Sequence, residues 1–185
     1  MRIINGKYRG RHIFAPATLP VRPTTDMAKE SLFNILNNMY DFEGLTVLDL
    51  FAGIGSISYE FASRGAKQVV SIEMHPRCAD FIRKTAEQLH FENIRVVRNN
   101  VFSFLKIASI QFDIIFADPP YDLKCIENLP DLAFENKLLV PDGLLIVEHS
   151  REYDFSGHPH FSQHRNYGKV NFSFFEAIKL SPSST

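Results

Sequence analysis

Between residues 45 and 147 the chain repeats one pattern. Short apolar runs alternate with stretches whose apolar residues recur at helical spacing. The runs are 45–51, 68–72, 94–98, 112–117 and 144–147. The helical stretches are 56–63, 76 to about 90, 101–108 and, more loosely, 123–136. A helix between two strands carries the chain back along the sheet, so successive strands pair in parallel. The expectation is one α/β domain with a mostly parallel sheet wound on both faces. Pro141-Asp142-Gly143 reads as the turn that sets up the fifth strand. The end of the chain differs. Gly168 separates two strand-like stretches, and Val170, Phe172 and Phe174 alternate on one face. That predicts an antiparallel hairpin closing the sheet, with residues 181–185 as a disordered tail.

Residues 1–25 form a separate basic segment. Asn5-Gly6 is a strong two-residue hairpin signal, because both central residues of a type I′ turn need positive φ. A small hairpin is expected, and strand alternation places Lys7, Arg9 and Arg11 on one of its faces. An extended, proline-rich connection follows at 15–23. Thr25 or Asp26 then caps a helix that runs to about residue 40, on the spacing of Leu32, Ile35, Leu36 and Met39. The net charge of −1 hides an asymmetry. Arg2, Lys7, Arg9, Arg11 and Arg22 give the first 25 residues five bases and no acid, whereas the rest holds 15 bases and 21 acids. A basic arm on an acidic body suits a polyanionic partner. On charge alone, a solvated strand pair explains it as well.

In an open parallel sheet, ligands bind at the carboxyl ends of the strands. The first run ends in Asp49-Leu-Phe-Ala-Gly-Ile-Gly55, the second in Glu73 and the fourth in Asp118-Pro-Pro-Tyr121. Gly53 and Gly55 stand between strand and helix, where a tight turn lets a ligand approach the backbone. Glu73 follows at the spacing that suits the two hydroxyls of a ribose. Together they point to a nucleoside cofactor. Ser58 occupies the third glycine position of a dinucleotide fingerprint, which argues against a pyrophosphate on the helix N-terminus. In Asp118-Pro-Pro-Tyr121, a carboxylate and a carbonyl in a stiff frame match the two N–H donors of an exocyclic amine, and the ring can stack on the base that carries it.

These segments resemble class I S-adenosylmethionine-dependent methyltransferases that act on amino nitrogens. Residues 2–11, Arg22-Pro-Thr-Thr-Asp26 and Glu30-Ser-Leu-Phe-Asn34 narrow the resemblance to the RsmD-type 16S rRNA guanine-N2 methyltransferases. It spans residues 1 to about 178 and implies a Rossmann-like methyltransferase domain over 26–180. It implies that Asp49, Phe51, Gly53 and Gly55 line the methionine part of S-adenosylmethionine. Glu73 would take the ribose hydroxyls, Met74 would lie beside the adenine, and Asn100 and Val101 would meet its edge. Thr24 and Asp26 would close over the cofactor. Asp118 and the Pro119 carbonyl would hold the guanine amine, with Tyr121 stacked on the ring. Lys7, Arg9, Arg11 and Arg22 would grip phosphates of 16S rRNA or of the small ribosomal subunit. Related enzymes often carry Asp where Asn100 stands, and its amide carbonyl can serve the same donor.

Other classes explain less. A nicotinamide-dependent oxidoreductase would use the glycine loop and Glu73 but not Asp118-Pro-Pro-Tyr121 or the basic arm. A non-catalytic RNA-binding assembly protein would need none of Asp118, Tyr121 or Glu73. A DNA adenine, or another rRNA amine, is the alternative target. His158, His160 and His164 lack a carboxylate or Cys to complete a metal set, so no metal is expected. His149 reads as a structural residue. Cys78 and Cys125 read as reduced thiols. The N-terminus lacks the apolar stretch of a signal peptide, and no run approaches a membrane span, so a cytoplasmic protein is expected; a monomer is also expected.

Overall fold

The computed structural model describes residues 1–21 and 25–177. The expectations for Arg22, Thr24 and the 181–185 tail lie outside the described residues. The elements run α1 (Asp26–Leu36), β1 (Thr46–Leu50), α2 (Ser56–Ser63), β2 (Gln68–Ile72), α3 (Pro76–Gln88), β3 (Ile94–Val97) and α4 (Val101–Ile107). They continue with β4 (Phe112–Ala117), α5 (Asn128–Glu135), β5 (Leu139–His149), β6 (Phe161–Tyr167) and β7 (Val170–Glu176). The seven-stranded sheet has the order β3-β2-β1-β4-β5-β7-β6. The pairs among β1 to β5 are parallel, and β7 pairs antiparallel with both β5 and β6. The order reverses at β1, next to β4, which is where such sheets open a crevice for ligands.

Strand alternation divides the core into two layers. Val47, Val69, Ile114, Phe116, Leu144, Ile146, Phe172 and Phe174 face α1, α2 and α3. Leu48, Leu50, Val70, Ile72, Ile115, Leu145, Val147 and Phe175 face α4 and α5. The doubly wound reading and the closing hairpin at Gly168 are both present.

Four local expectations change. The arm is closed by a single bridge, Arg2 to His12, and by Ile3 N–H to Arg11 O at 2.9 Å. Gly6 and Gly10 take positive φ but Asn5 does not, so no type I′ turn forms at Asn5-Gly6. The reason lies in α2. The buried Glu60 carboxylate accepts from the backbone N–H groups of Ile4 and Asn5 at 2.8 and 3.0 Å, and Ser63 O accepts from Lys7 N–H at 2.7 Å. These contacts hold residues 4–8 as a loop, so Lys7, Arg9 and Arg11 are exposed but do not share a strand face. Next, α1 stops at Leu36, because Asn37 and Asn38 follow and Asn38 bonds back to Asn34 O. Third, residues 141–143 are a bulge inside β5, not a turn before it. Asp142 has φ +63°, and the register shifts between Phe112 and Ile114. Fourth, the helix expected over 123–136 forms only as α5.

Candidate active site

The glycine loop joins β1 to α2 through three residues with positive φ. Phe51 has φ +60°, Gly53 +57° and Gly55 +84°. A Cβ on Gly55 would stand 2.8 Å from the Tyr59 ring, so only glycine fits under that side chain. A Cβ on Gly53 would meet Phe51 O and Val21 Cβ at 3.9 Å, ordinary contact distance, so the demand for glycine there comes from its φ of +57°. Glu73, just past β2, clasps this loop. Its Oε2 accepts from Gly53 N–H at 2.8 Å and its Oε1 from His75 N–H at 2.7 Å. A carboxylate has about four acceptor sites, so each oxygen keeps one for a ligand hydroxyl.

Alternation carries Asp49, Ser71, Glu73, Asp118 and Glu148 onto the sheet face that packs against α2. Asp49 is buried and accepts a hydrogen bond from the Ser58 hydroxyl, which also meets Ser71 Oγ at 2.7 Å. Ser58 therefore ties α2 to the first two strands at the position of the missing third glycine. Burial pushes the Asp49 carboxyl up to about 7; the charges of Asp118 and Glu73 add to this, and the Ser58 bond opposes it.

Asn100 caps α4, its Oδ1 accepting from Ser103 N–H at 3.1 Å, while its amide nitrogen lies 3.9 Å from Met74 Sδ. Both side chains are exposed, and Val101 is buried directly behind them. The fold thus brings Met74, Asn100 and Val101 to one corner of the carboxyl edge. At β4, Asp118 is half-buried, Pro119 is buried, and Tyr121 is 64% exposed. The turn closes through Leu123 N–H to Pro120 O at 2.9 Å. Asp26 opens α1, 3.9 Å from Arg2 Nε. A cleft of about 280 Å³ separates residues 13–21 from Ile54 of the glycine loop, which sets the connection beside the site.

Two features escaped the sequence reading. Lys29 is buried on α1, with Nζ 2.6 Å from Arg2 O, 3.3 Å from Ser56 Oγ and 3.7 Å from Glu60. Glu60 also pairs with Arg64 at 2.9 Å. The signal was a Lys among the apolar positions of α1 and a Glu inside α2. The second feature is the burial of Glu148: the sequence marks Glu148-His149 at the end of the fifth strand, but not that the acid is enclosed.

The histidines have separate employments. His158 meets Asp131 at 3.2 Å, His160 meets Glu176 O at 3.0 Å, and His164 meets Asn171 at 3.2 Å. His149 has both ring nitrogens bonded, to Ser150 O and Ser173 Oγ. Among the described residues no group of three or more His, Cys, Asp or Glu is arranged to hold a metal ion, and no helix is long and apolar enough to cross a membrane.

The comparisons with known proteins agree with this geometry. The model of the family described as Conserved hypothetical protein 95 matches residues 1–176. The Escherichia coli (strain K12) protein named Ribosomal RNA small subunit methyltransferase D is 34% identical over 179 residues, covering 95% of this chain and 89% of that one. The solved structure of yhhF from Escherichia coli superposes with a TM-score of 0.85 at 30% identity, covering 96% of this chain and 98% of that one. SMU.776, solved in complex with SAH, shares the fold at 20% identity with a TM-score of 0.67, covering 83% of this chain and 50% of that one. The chain belongs to the Conserved hypothetical protein 95 family, the RsmD family of class I methyltransferases.

Proposed function

We propose that the chain methylates the exocyclic N2 amine of a guanine in 16S rRNA of the small ribosomal subunit, in the cytoplasm, with S-adenosylmethionine as methyl donor. The observation that carries this reading is the convergence of Asp49, Glu73 and Asp118 on one face of the carboxyl edge, with the Gly53–Gly55 loop between the first two. The relative's name, Ribosomal RNA small subunit methyltransferase D, supports the substrate.

The site fits the cofactor. Asp49, Phe51, Gly53 and Gly55 line the methionine part, and the positive φ values of the loop bring its backbone close to it. Glu73 takes the ribose hydroxyls with its remaining acceptor sites. Met74, Asn100 and Val101 meet the adenine, although the Asn100 carbonyl divides its capacity with the α4 cap. Asp26 closes the site from the side of α1, and Thr24 is proposed to share that role. Three acids on this face suit a cationic sulfonium. When bound there, S-adenosylmethionine would supply an electrophilic methyl to the amine and would itself be the leaving group that takes the C–S electron pair.

Asp118 and the Pro119 carbonyl accept the two N–H bonds of the amine. That localises a lone pair otherwise delocalised into the purine and aims it along the attack line. Asp118 then takes the proton that methylation makes acidic. Tyr121 stacks on the base, which must leave its helical stack to reach the site. Lys7, Arg9, Arg11 and Arg22 hold flanking phosphates.

Asp118→Ala should lower methyl transfer by at least roughly 10²–10³-fold, the loss typical of a preorganised polar group. S-adenosylmethionine affinity should hold, because the carboxylate is assigned to the amine. The assay uses small subunits lacking the modification and maps the labelled nucleotide by mass spectrometry. Near wild-type turnover would remove Asp118 from the mechanism.

A further inference from the structure

The mechanism above leaves one buried acid idle. Val147 of β5 pairs in parallel register with Ala117 of β4, so Glu148 and Asp118 are the next residues on adjacent strands. Adjacent strands lie about 4.8 Å apart, which puts both carboxyl groups in one stretch of the carboxyl edge. Glu148 is 5% exposed, and its Oε2 has no hydrogen-bond partner among the described residues.

Among the described residues, the groups around Glu148 offer no cation. On its other side it faces Phe172 of β7, which carries no charge. From β4 it feels the charge of Asp118, and from β1 Asp49 adds a third acid beside Asp118. Lys29, the buried cation on this sheet face, is committed to Arg2 O, Ser56 and Glu60. No ion pair to Glu148 occurs among the described residues.

A buried charge without a partner is costly, and two like charges in one site are costlier. One proton relieves both costs, and it settles on the group with less access to water. Glu148 is that group, since Asp118 is half-buried. We infer that Glu148 is the positioning residue of Asp118: it holds the proton of the pair and leaves the single negative charge on Asp118. This inference rests on the assignment of Asp118 to the amine. It gives the pair a single negative charge at neutral pH and puts that charge on the group assigned to the amine. Burial and the Asp118 charge push the Glu148 carboxyl up to about 8, in accord with a neutral acid at pH 7.

The test compares the wild-type chain with Glu148→Gln, which has the same shape and is neutral at every pH. Wild-type kcat on unmodified small subunits should fall above about pH 8, where an ionised Glu148 repels the Asp118 carboxylate from its place against the amine. Glu148→Gln should keep turnover within a few-fold at pH 7 and lose that alkaline limb. A second readout needs no activity. A carboxyl raised in the folded state stabilises the fold fully below its ordinary value of 4.5, and that contribution is lost as pH rises through about 8. Between pH 6 and 9 the wild type should therefore lose stability relative to Glu148→Gln in denaturant titrations. Parallel alkaline limbs, or stability curves that keep a constant gap, would overturn the inference. So would a Glu148→Gln turnover at pH 7 as low as that of Asp118→Ala. If wild-type protein methylates no small-subunit guanine, the proposed function itself falls.

Discussion

Glu73 shows how one side chain can build a site and also serve it. Its two oxygens fix Gly53 and His75, so the carboxylate sets the glycine loop and the turn into α3 before any ligand arrives. The remaining acceptor sites face the space proposed for the ribose. Glu73→Ala should weaken S-adenosylhomocysteine binding by roughly 10–150-fold, the equivalent of one lost charge-assisted bond at about 1.5–3 kcal/mol. Glu73→Gln should also bind more weakly, because an amide offers one acceptor oxygen and turns its NH₂ toward a backbone N–H. Calorimetry decides the matter, and unchanged affinity in both variants would take Glu73 out of the cofactor site. Ser58 carries a different lesson. The missing third glycine argued against a dinucleotide, and the structure gives that position a task of its own in bonding Asp49 and Ser71. The residue types at the strand ends were readable because each follows a local pattern of strand, turn and helix. That Asp118 has an acidic neighbour was not, because it depends on the register of β4 against β5.

Among the elements, α2 has the widest reach. Its first turn carries the glycine loop, and its last turn anchors the arm through Glu60 and Ser63. Glu60 accepts from Ile4, Asn5 and Arg64 and pairs with Lys29, and the Glu60 and Lys29 side chains are both buried. Burial lowers the Lys29 amine pKa, and the Glu60 charge opposes that shift. Glu60→Ala would leave Lys29 buried without its partner and strand two backbone N–H groups. Removing one member of a buried pair costs about 3–5 kcal/mol, so the denaturant midpoint should drop sharply. Limited proteolysis should then cut within residues 4–10 faster than it does in the wild type. A small midpoint change with the arm still protected would show that the apolar contacts of Ile3 and Ile13 hold it unaided. Helix and strand periods revealed the central elements almost residue for residue: α2, β2 and β4 match their expected spans. The arm did not follow its strongest turn signal. The Asn5-Gly6 preference is worth little beside backbone N–H groups that must be satisfied, and Glu60, 55 residues away from Asn5, satisfies them. The bulge at 141–143 was equally hidden, since it compensates for a shift against β4.

At the scale of the molecule, charge is sorted by place. The carboxyl edge gathers acids, whereas the arm carries bases, and the arm is packed against the element that forms the glycine loop. Not every base in it is available. Arg2 meets Glu30 at 3.2 Å and Asp26 at 3.9 Å, so it serves to fasten the arm to α1. Lys7, Arg9 and Arg11 point to solvent, and Phe14, 86% exposed, stacks on His12 beyond them. They do not form the single strand face that alternation predicted, but a polyanion needs charge within reach more than it needs alignment. Phosphate contacts release counterions, and log K falls with log salt by about 0.7 per contact on single-stranded RNA. Replacing Arg9 and Arg11 with Gln should weaken RNA binding and make the salt slope shallower by roughly 1.4. Cofactor affinity should not move, because neither residue touches the carboxyl edge. Thermal stability should barely change, since exposed charges contribute little to folding. Binding measured over a series of salt concentrations separates the cases. A shallower slope with an intact cofactor site makes the arm a phosphate grip, whereas an unchanged slope would mean that its bases only keep it solvated and that the RNA is held elsewhere.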